Sequence, residues 1–384
     1  MTDARHHYVP QFHLRLFGHG DGNGRIWVYD KQADQIGPRS VKAIASEINY
    51  YRVRDGERGH SDELERMFSQ LESVAAPLVR RLARMDESET LLSPDERDAL
   101  SGYVALLWAR GPTQRNWTHA MGEFMARIQL DMFVRHPEGF RKRAKDEDPN
   151  QSDAEIEEMR TKTIADLESG RMVLEAPIEW GLANLGPAVE SIRPILFGMK
   201  WRIFRRRRLP FIAIGDWPVL LIAGPDHPPL VGVGFASAGV TVGVPLGPRA
   251  ILIMSHLPHD GSIPVVDLDR RPAVPSLEPT WSFGVNAQSL MTATRYLFAR
   301  SQADLEFTRI GLPEKERRRV PTFGVAHVPS QWDYLMPKAM RPDPLTARDD
   351  HQEPPGRKRD GVLASALRRF RRAAVPPNER EKPR

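Results

Sequence analysis

Six apolar residues, Leu64, Phe68, Leu71, Ala75, Leu78 and Leu82, recur every three to four positions and fall on one face of a single long helix. A stripe of that length must be buried against another layer of the same fold. Asp62, with Glu65 three positions later, reads as a capping box at its start, and Pro77 predicts a bend. Ser93-Pro94-Asp95-Glu96 is a second capping box, opening a helix through Leu100, Val104, Leu107 and Trp108 that Gly111-Pro112 breaks. Helical spacing resumes through Trp117, Met121, Phe124 and Ile128. Strands are expected at 25–29, 46–53, 239–244 and 250–255, and at 200–204 and 209–214, where Arg205 to Arg208 read as a basic hairpin turn. A closing helix is expected over Asn286–Arg300. Short strands, a helical block, a strand block and a last helix predict an α+β fold with mostly antiparallel strands, since regular βαβ alternation is missing. The expected organisation is one domain over 1–342, with a charged insertion at about 141–169 forming an exposed loop that leads into a solvated helix. A basic tail at 343–384 follows, with a short helix at Val362–Ala373.

Composition narrows the function classes. The chain has 384 residues, 40% of them hydrophobic, which is ample for a large core. It has no cysteine, which excludes disulfides, thiolate zinc ligands and thiol nucleophiles and fits a reducing compartment. The net charge of +5 resides entirely in the last 24 residues, where seven Lys and Arg face two Glu. A formally neutral body weakens a reading of the whole fold as a nucleic-acid binder. The tail, with Leu363, Leu367 and Phe370 among arginines, suits contact with nucleic acid or a membrane surface, or simply a solubilising tail. No apolar leader and no uninterrupted membrane span is present, so a cytoplasmic protein is expected.

The chemistry-bearing residues begin at His6-His7-Tyr8-Val9-Pro10. Paired imidazoles bind metal, move protons or hold phosphate, and Pro10 fixes the backbone behind them. The glycine-rich stretch Gly18–Gly24 lacks G-x-G-x-x-G spacing and fails the calcium-loop pattern, so it reads as a turn. There is no P-loop and no nucleophile elbow around Ser237, and a His-Asn-His nuclease pattern running from His7 to Asn23 finds no closing histidine after Asn23 until His60.

The run HHYVPQFHLRLF resembles the opening signature of the domain-of-unknown-function family 4238. RIWVYDK, the Glu-x-Asn-Tyr-Tyr element at Glu47, LERMFSQLESVAAPL, LSPDER with Arg110 after it, PFIAIGDWPV, VPLGPRAIL and Val285-Asn286 through Arg295-Tyr296 follow in that family's order. One piece departs: Gly215-Asp216-Trp217-Pro218 stands where the family reads Ser-Asp-Asn-Pro. The aspartate is kept without its polar neighbours. The resemblance implies no established activity.

Two readings follow from the residues. In the first, the protein is a metal-dependent hydrolase, a phosphodiesterase or nuclease acting on a phosphate-containing substrate or nucleic acid. His6 or His7, Glu47 and Asp216 hold or flank a divalent metal, Glu72 serves as base or ligand, and Arg110 or Arg115 offsets transition-state charge. Neighbouring side chains on a strand point to opposite faces, so one imidazole is expected at the site and the other in a structural role. Glu65 and Glu72, seven apart, share one helix face. In the second reading the protein is a non-catalytic binding or regulatory module, and the opening run is a structural clasp.

Overall fold

The computed structural model describes residues 5–18, 24–48, 50–51, 53–54, 60–61, 63–84, 89–176, 178–224, 227, 232–258, 260–268 and 278–321. The expected Asp62 cap, most of the 18–24 turn and the basic tail with its helix lie outside them. The fold is α+β, with short and mostly antiparallel sheets. The described residues divide into two compact units, one holding the chain up to 114 and from 184 to 321, the other residues 115–183.

The first unit begins with β1 (Arg5–His7), α1 (Gln11–Leu16), β2 (Arg25–Asp30), β3 (Gln35–Ser40), β4 (Ser46–Ile48), β5 (Val53–Arg54) and β6 (His60–Ser61). Next come α2 (Glu63–Arg84), β7 (Glu89–Leu91) and α3 (Pro94–Ala109). Helix α3 starts as its sequence requires: the Ser93 side chain accepts from the Glu96 backbone N–H, and Glu96 accepts from that of Ser93.

Helix α4 (Pro112–Val134) leads into the second unit, which continues with α5 (Pro137–Glu147), α6 (Asp153–Glu168) and α7 (Ile178–Ala183). Its core joins Val134, Phe140, Ala144, Ile156 and Leu167. The charged stretch expected to open as a loop is therefore helical up to Glu147 and again from Asp153. A few well-spaced apolar residues hold both helices beneath the charges that dominate the composition.

Back in the first unit, α8 (Leu185–Gly198) is followed by β8 (Lys200–Arg205), β9 (Ile214–Gly215), β10 (Leu220–Ile222), β11 (Thr241–Gly247), β12 (Ala250–Ser255) and β13 (Ser262–Asp267). Helix α9 (Glu278–Thr292), β14 (Tyr296–Ala299), α10 (Gln302–Ile310) and α11 (Glu314–Arg317) complete it. The six-stranded sheet runs β10-β11-β12-β8-β13-β7, with only the β8/β13 pair parallel, and a four-stranded antiparallel sheet runs β3-β2-β14-β9. Period-two alternation gives the large sheet two buried faces. Trp201, Ile203, Val242, Val244, Leu252 and Met254 meet the stripes of α2, α3 and α8. Phe204, Ile251, Ile253, Leu220 and Ile222 gather with Val285 of α9. Helix α9 turns Ala287 and Leu290 toward Tyr29 and Leu297 of the smaller sheet, so one helix serves both sheets. Each such aliphatic side chain contributes about 1.5–3 kcal/mol by leaving water.

Two expectations are corrected. Residues 200–204 and 209–214 do not form a hairpin, because β8 pairs with β12 and β13 whereas β9 belongs to the other sheet. Arg206 is buried between them and donates to the carbonyls of Arg208 and Leu209. The helix expected over Asn286–Arg300 ends at Thr292, and Tyr296–Ala299 is a central strand between β2 and β9. Among the described residues, no helix is long and apolar enough to cross a membrane.

Candidate functional site

Strand β1 pairs with β4 so that His6 faces Glu47 and His7 faces Ser46 across the ladder. The pleat sends the two imidazoles apart, as adjacent strand positions must. His6 is 2% exposed, its Nδ1 accepts the Tyr51 backbone N–H at 3.0 Å, and its ring stacks on Tyr51 with centroids 5.6 Å apart. His7 is half-buried beside the backbone carbonyls of Val41 and Lys42, and its Nε2 has no hydrogen-bond partner among the described residues. Burial pushes the His7 pKa below its ordinary value, with Arg5 acting in the same direction and Glu72 against it. Glu47 is half-buried opposite His6.

The rest of the run builds structure. The Tyr8 backbone N–H donates to the Ala45 carbonyl at 3.0 Å, and its buried ring meets Tyr50, whose hydroxyl donates to the Arg110 carbonyl at 3.1 Å. Burial, with Asp216 in its field, raises the Tyr8 pKa far out of any working range. Pro10 stands at the N-cap of α1.

Arg110 closes α3, where Gly111-Pro112 break the helix, and is 2% exposed. Its Nη1 donates to Glu72 Oε1 at 2.7 Å, the guanidinium being 1% and the carboxylate 24% exposed. The Nε and Nη2 atoms of Arg110 are buried without a hydrogen-bond partner among the described residues, and so is the Tyr51 hydroxyl. Arg110 lies within electrostatic reach of Tyr51, Glu72 and Tyr103, and Tyr51 within reach of Glu65 and Glu72. A buried guanidinium, a buried phenol, a half-buried imidazole and a part-exposed carboxylate thus share one neighbourhood.

Asp216 stands apart in role. It is fully buried, Oδ1 accepting the Thr294 N–H at 2.7 Å and Oδ2 those of Arg295 and Tyr296 at 2.7 and 2.9 Å. Burial pushes its carboxyl above the usual range, while the three donors and Lys31 pull it down. It holds the turn from α9 into β14. Trp217, where the departure from the resembling motif falls, donates from Nε1 to the Trp108 carbonyl at 2.8 Å. Arg115 belongs to the second unit. Among the described residues, no three His, Asp or Glu side chains converge as a metal-binding group.

The structure therefore draws His7, Glu72 and Arg110 into one electrostatic neighbourhood and puts Asp216 at a turn. Sequence reasoning misses two residues. Tyr51 carries a signal there, as the second tyrosine of the Glu-x-Asn-Tyr-Tyr element. His13, fully buried between Tyr103 and Pro245, is the third histidine of the opening run.

Neither the comparison with curated proteins nor that with solved structures gave a match. The chain matches the family described as Protein of unknown function (DUF4238) over residues 5–303, which takes in the opening run, both sheets and the Arg110 neighbourhood. The chain belongs to that family.

Proposed function

We propose that this protein is a non-catalytic binding or regulatory module whose opening run is a structural clasp. The observation that carries this reading is the use made of His6: its Nδ1 serves the Tyr51 backbone and its ring stacks on the Tyr51 ring. With Nδ1 accepting the Tyr51 N–H, the neutral His6 ring carries its proton on Nε2 and offers no free lone pair to a metal. His6→Ala deprives a buried N–H of its acceptor and removes a stacked pair, and is expected to cost about 2–4 kcal/mol. Urea unfolding measures that loss. Calorimetric titration with zinc, manganese and magnesium completes the test: the clasp reading expects either no binding or binding unchanged in His6→Ala and His7→Ala. Metal binding abolished by either substitution at retained fold would overturn it.

A metal-dependent hydrolase of phosphodiesters is the second reading, and His7 is what favours it. With its pKa lowered by burial, the imidazole is neutral at pH 7, the form that ligates a metal or takes a proton, and Glu72 lies in its field. His7, Glu47 and Asp216 would hold the divalent ion, with His6 and Glu72 in acid–base roles and Arg110 offsetting charge. Asp216 could join only by giving up its three backbone donors, which weighs against this reading. Metal-dependent hydrolysis of bis(p-nitrophenyl) phosphate that disappears in His7→Ala would establish it, and a rate equal in the two proteins would end it.

A further inference from the structure

We propose that Arg110 and Tyr51 form a buried binding site for a small oxyanion, a carboxylate or a phosphate group. This rests on the binding-module reading and names the ligand class that such a module takes. The case begins with the shape of arginine. Nε–H and one Nη2–H lie on the same edge of the planar guanidinium and point in parallel, the pair that meets two oxygens of a carboxylate or phosphate. In Arg110 those are the two nitrogens left without a partner among the described residues, while Nη1 is satisfied by Glu72. The Tyr51 hydroxyl, a third buried donor without a partner among those residues, stands within electrostatic reach.

Buried donors are ordinarily satisfied, and leaving three unmade in one neighbourhood is costly. In the same unit, buried Arg206 uses the corresponding edge, donating from Nε and Nη2 to the carbonyls of Arg208 and Leu209. Among the described residues, the side chain bonded to the Arg110 guanidinium is that of Glu72, whose carboxylate is 24% exposed. Glu72 also sets the limit on affinity, since its charge opposes a second anion.

The test uses the full-length chain, with thermal unfolding and calorimetry in inorganic phosphate, acetate or succinate against chloride at matched ionic strength. One class is expected to raise the melting temperature and to bind saturably. Phosphate alone acting identifies a phosphate ligand; acetate or succinate alone identifies a carboxylate. Tyr51→Phe removes only the unpartnered hydroxyl, so its stability in chloride should equal or exceed that of the native chain while the anion binds about ten-fold more weakly. Arg110→Lys keeps the charge, loses the parallel edge and should abolish binding. Glu72→Gln keeps an acceptor for Nη1, removes the opposing charge and should tighten binding. If Arg110→Lys fails to fold, the other two variants decide. The proposal is overturned if none of the anions binds, if Tyr51→Phe binds as tightly as the native chain or loses stability in chloride, or if Glu72→Gln fails to tighten binding. Absent anion binding alongside a destabilised His6→Ala would remove the oxyanion site and leave the clasp standing.

Discussion

His13 sits fully buried with Nδ1 2.9 Å from the Tyr103 hydroxyl and Nε2 2.8 Å from the Pro245 carbonyl. A carbonyl only accepts, so Nε2 carries the proton, Nδ1 accepts from Tyr103, and both bonds are made by a neutral ring. Burial pushes the pKa down to about 4 from an ordinary value of 6.5. Between those values the unfolded chain binds more protons than the folded one, so the stability present above pH 6.5 drains away as the pH falls toward 4. The amount is on the order of 3 kcal/mol. Urea titrations at about pH 7.5, 6 and 4.5 should show this loss in the native chain. His13→Gln should be less stable at neutral pH and flatter below it, and an unchanged slope would place the acid sensitivity in other groups. At this scale the sequence is only partly legible. Strand alternation separates His6 from His7 on local geometry alone, but nothing in the spacing says that Asp216 is spent on three backbone donors. Nor does it say that Tyr51 closes over His6, because both depend on chain segments brought together by the sheets.

Elements with a long period are the readable ones. The α2 stripe buries Phe68, Ala75, Leu78 and Leu82, and the Ser93 box caps α3 as its spacing predicts. Elements whose partners lie far along the chain are not readable in this way. Residues 296–299 continue a helical pattern locally, yet they become β14 because β2 and β9 offer backbone partners on both sides and Asp216 secures the entering turn. The break between α3 and α4 shows how tightly such junctions are fitted. A Cβ added at Gly111 would stand 2.2 Å from Trp217 Cδ1, and Trp217 is itself tied to the Trp108 carbonyl. Gly111→Ala would relieve backbone entropy by under about 1 kcal/mol, but the clash forces the indole to move, at about 1–3 kcal/mol or more. Net destabilisation in urea, with a changed tryptophan emission spectrum, is therefore expected. A variant as stable as the native chain would mean that Trp217 is not packed on this junction.

Across the first unit, the pieces that carry the family resemblance prove to be the joints. His13 of the opening run holds the β11 bulge at Pro245, and Lys31, at the end of RIWVYDK, donates to the carbonyls of Leu290 and Ala293 at the close of α9. Asn286 accepts at Oδ1 from the Ala213 N–H and donates from Nδ2 to the Phe211 carbonyl, joining α9 to PFIAIGDWPV. Order along the chain is thus evidence of fold, and it says little about chemistry because these residues are occupied in assembly. In the second unit the ties span shorter stretches of chain, as from Arg160 Nη1 to the Val134 carbonyl, and the core is the small group around Val134, Phe140 and Leu167. Fewer buried apolar side chains and a greater share of exposed helix surface lower the free energy of local opening. Native-state hydrogen exchange should therefore show amides of α5 and α6 exchanging at lower free energy than those of β8 and β12, with a urea dependence reflecting a smaller exposed surface. Phe140→Ala should widen the gap while leaving protection in β8 and β12 unchanged. If exchange in α5 and α6 instead follows global unfolding, the two units share one cooperative transition and the small core is not what limits their stability.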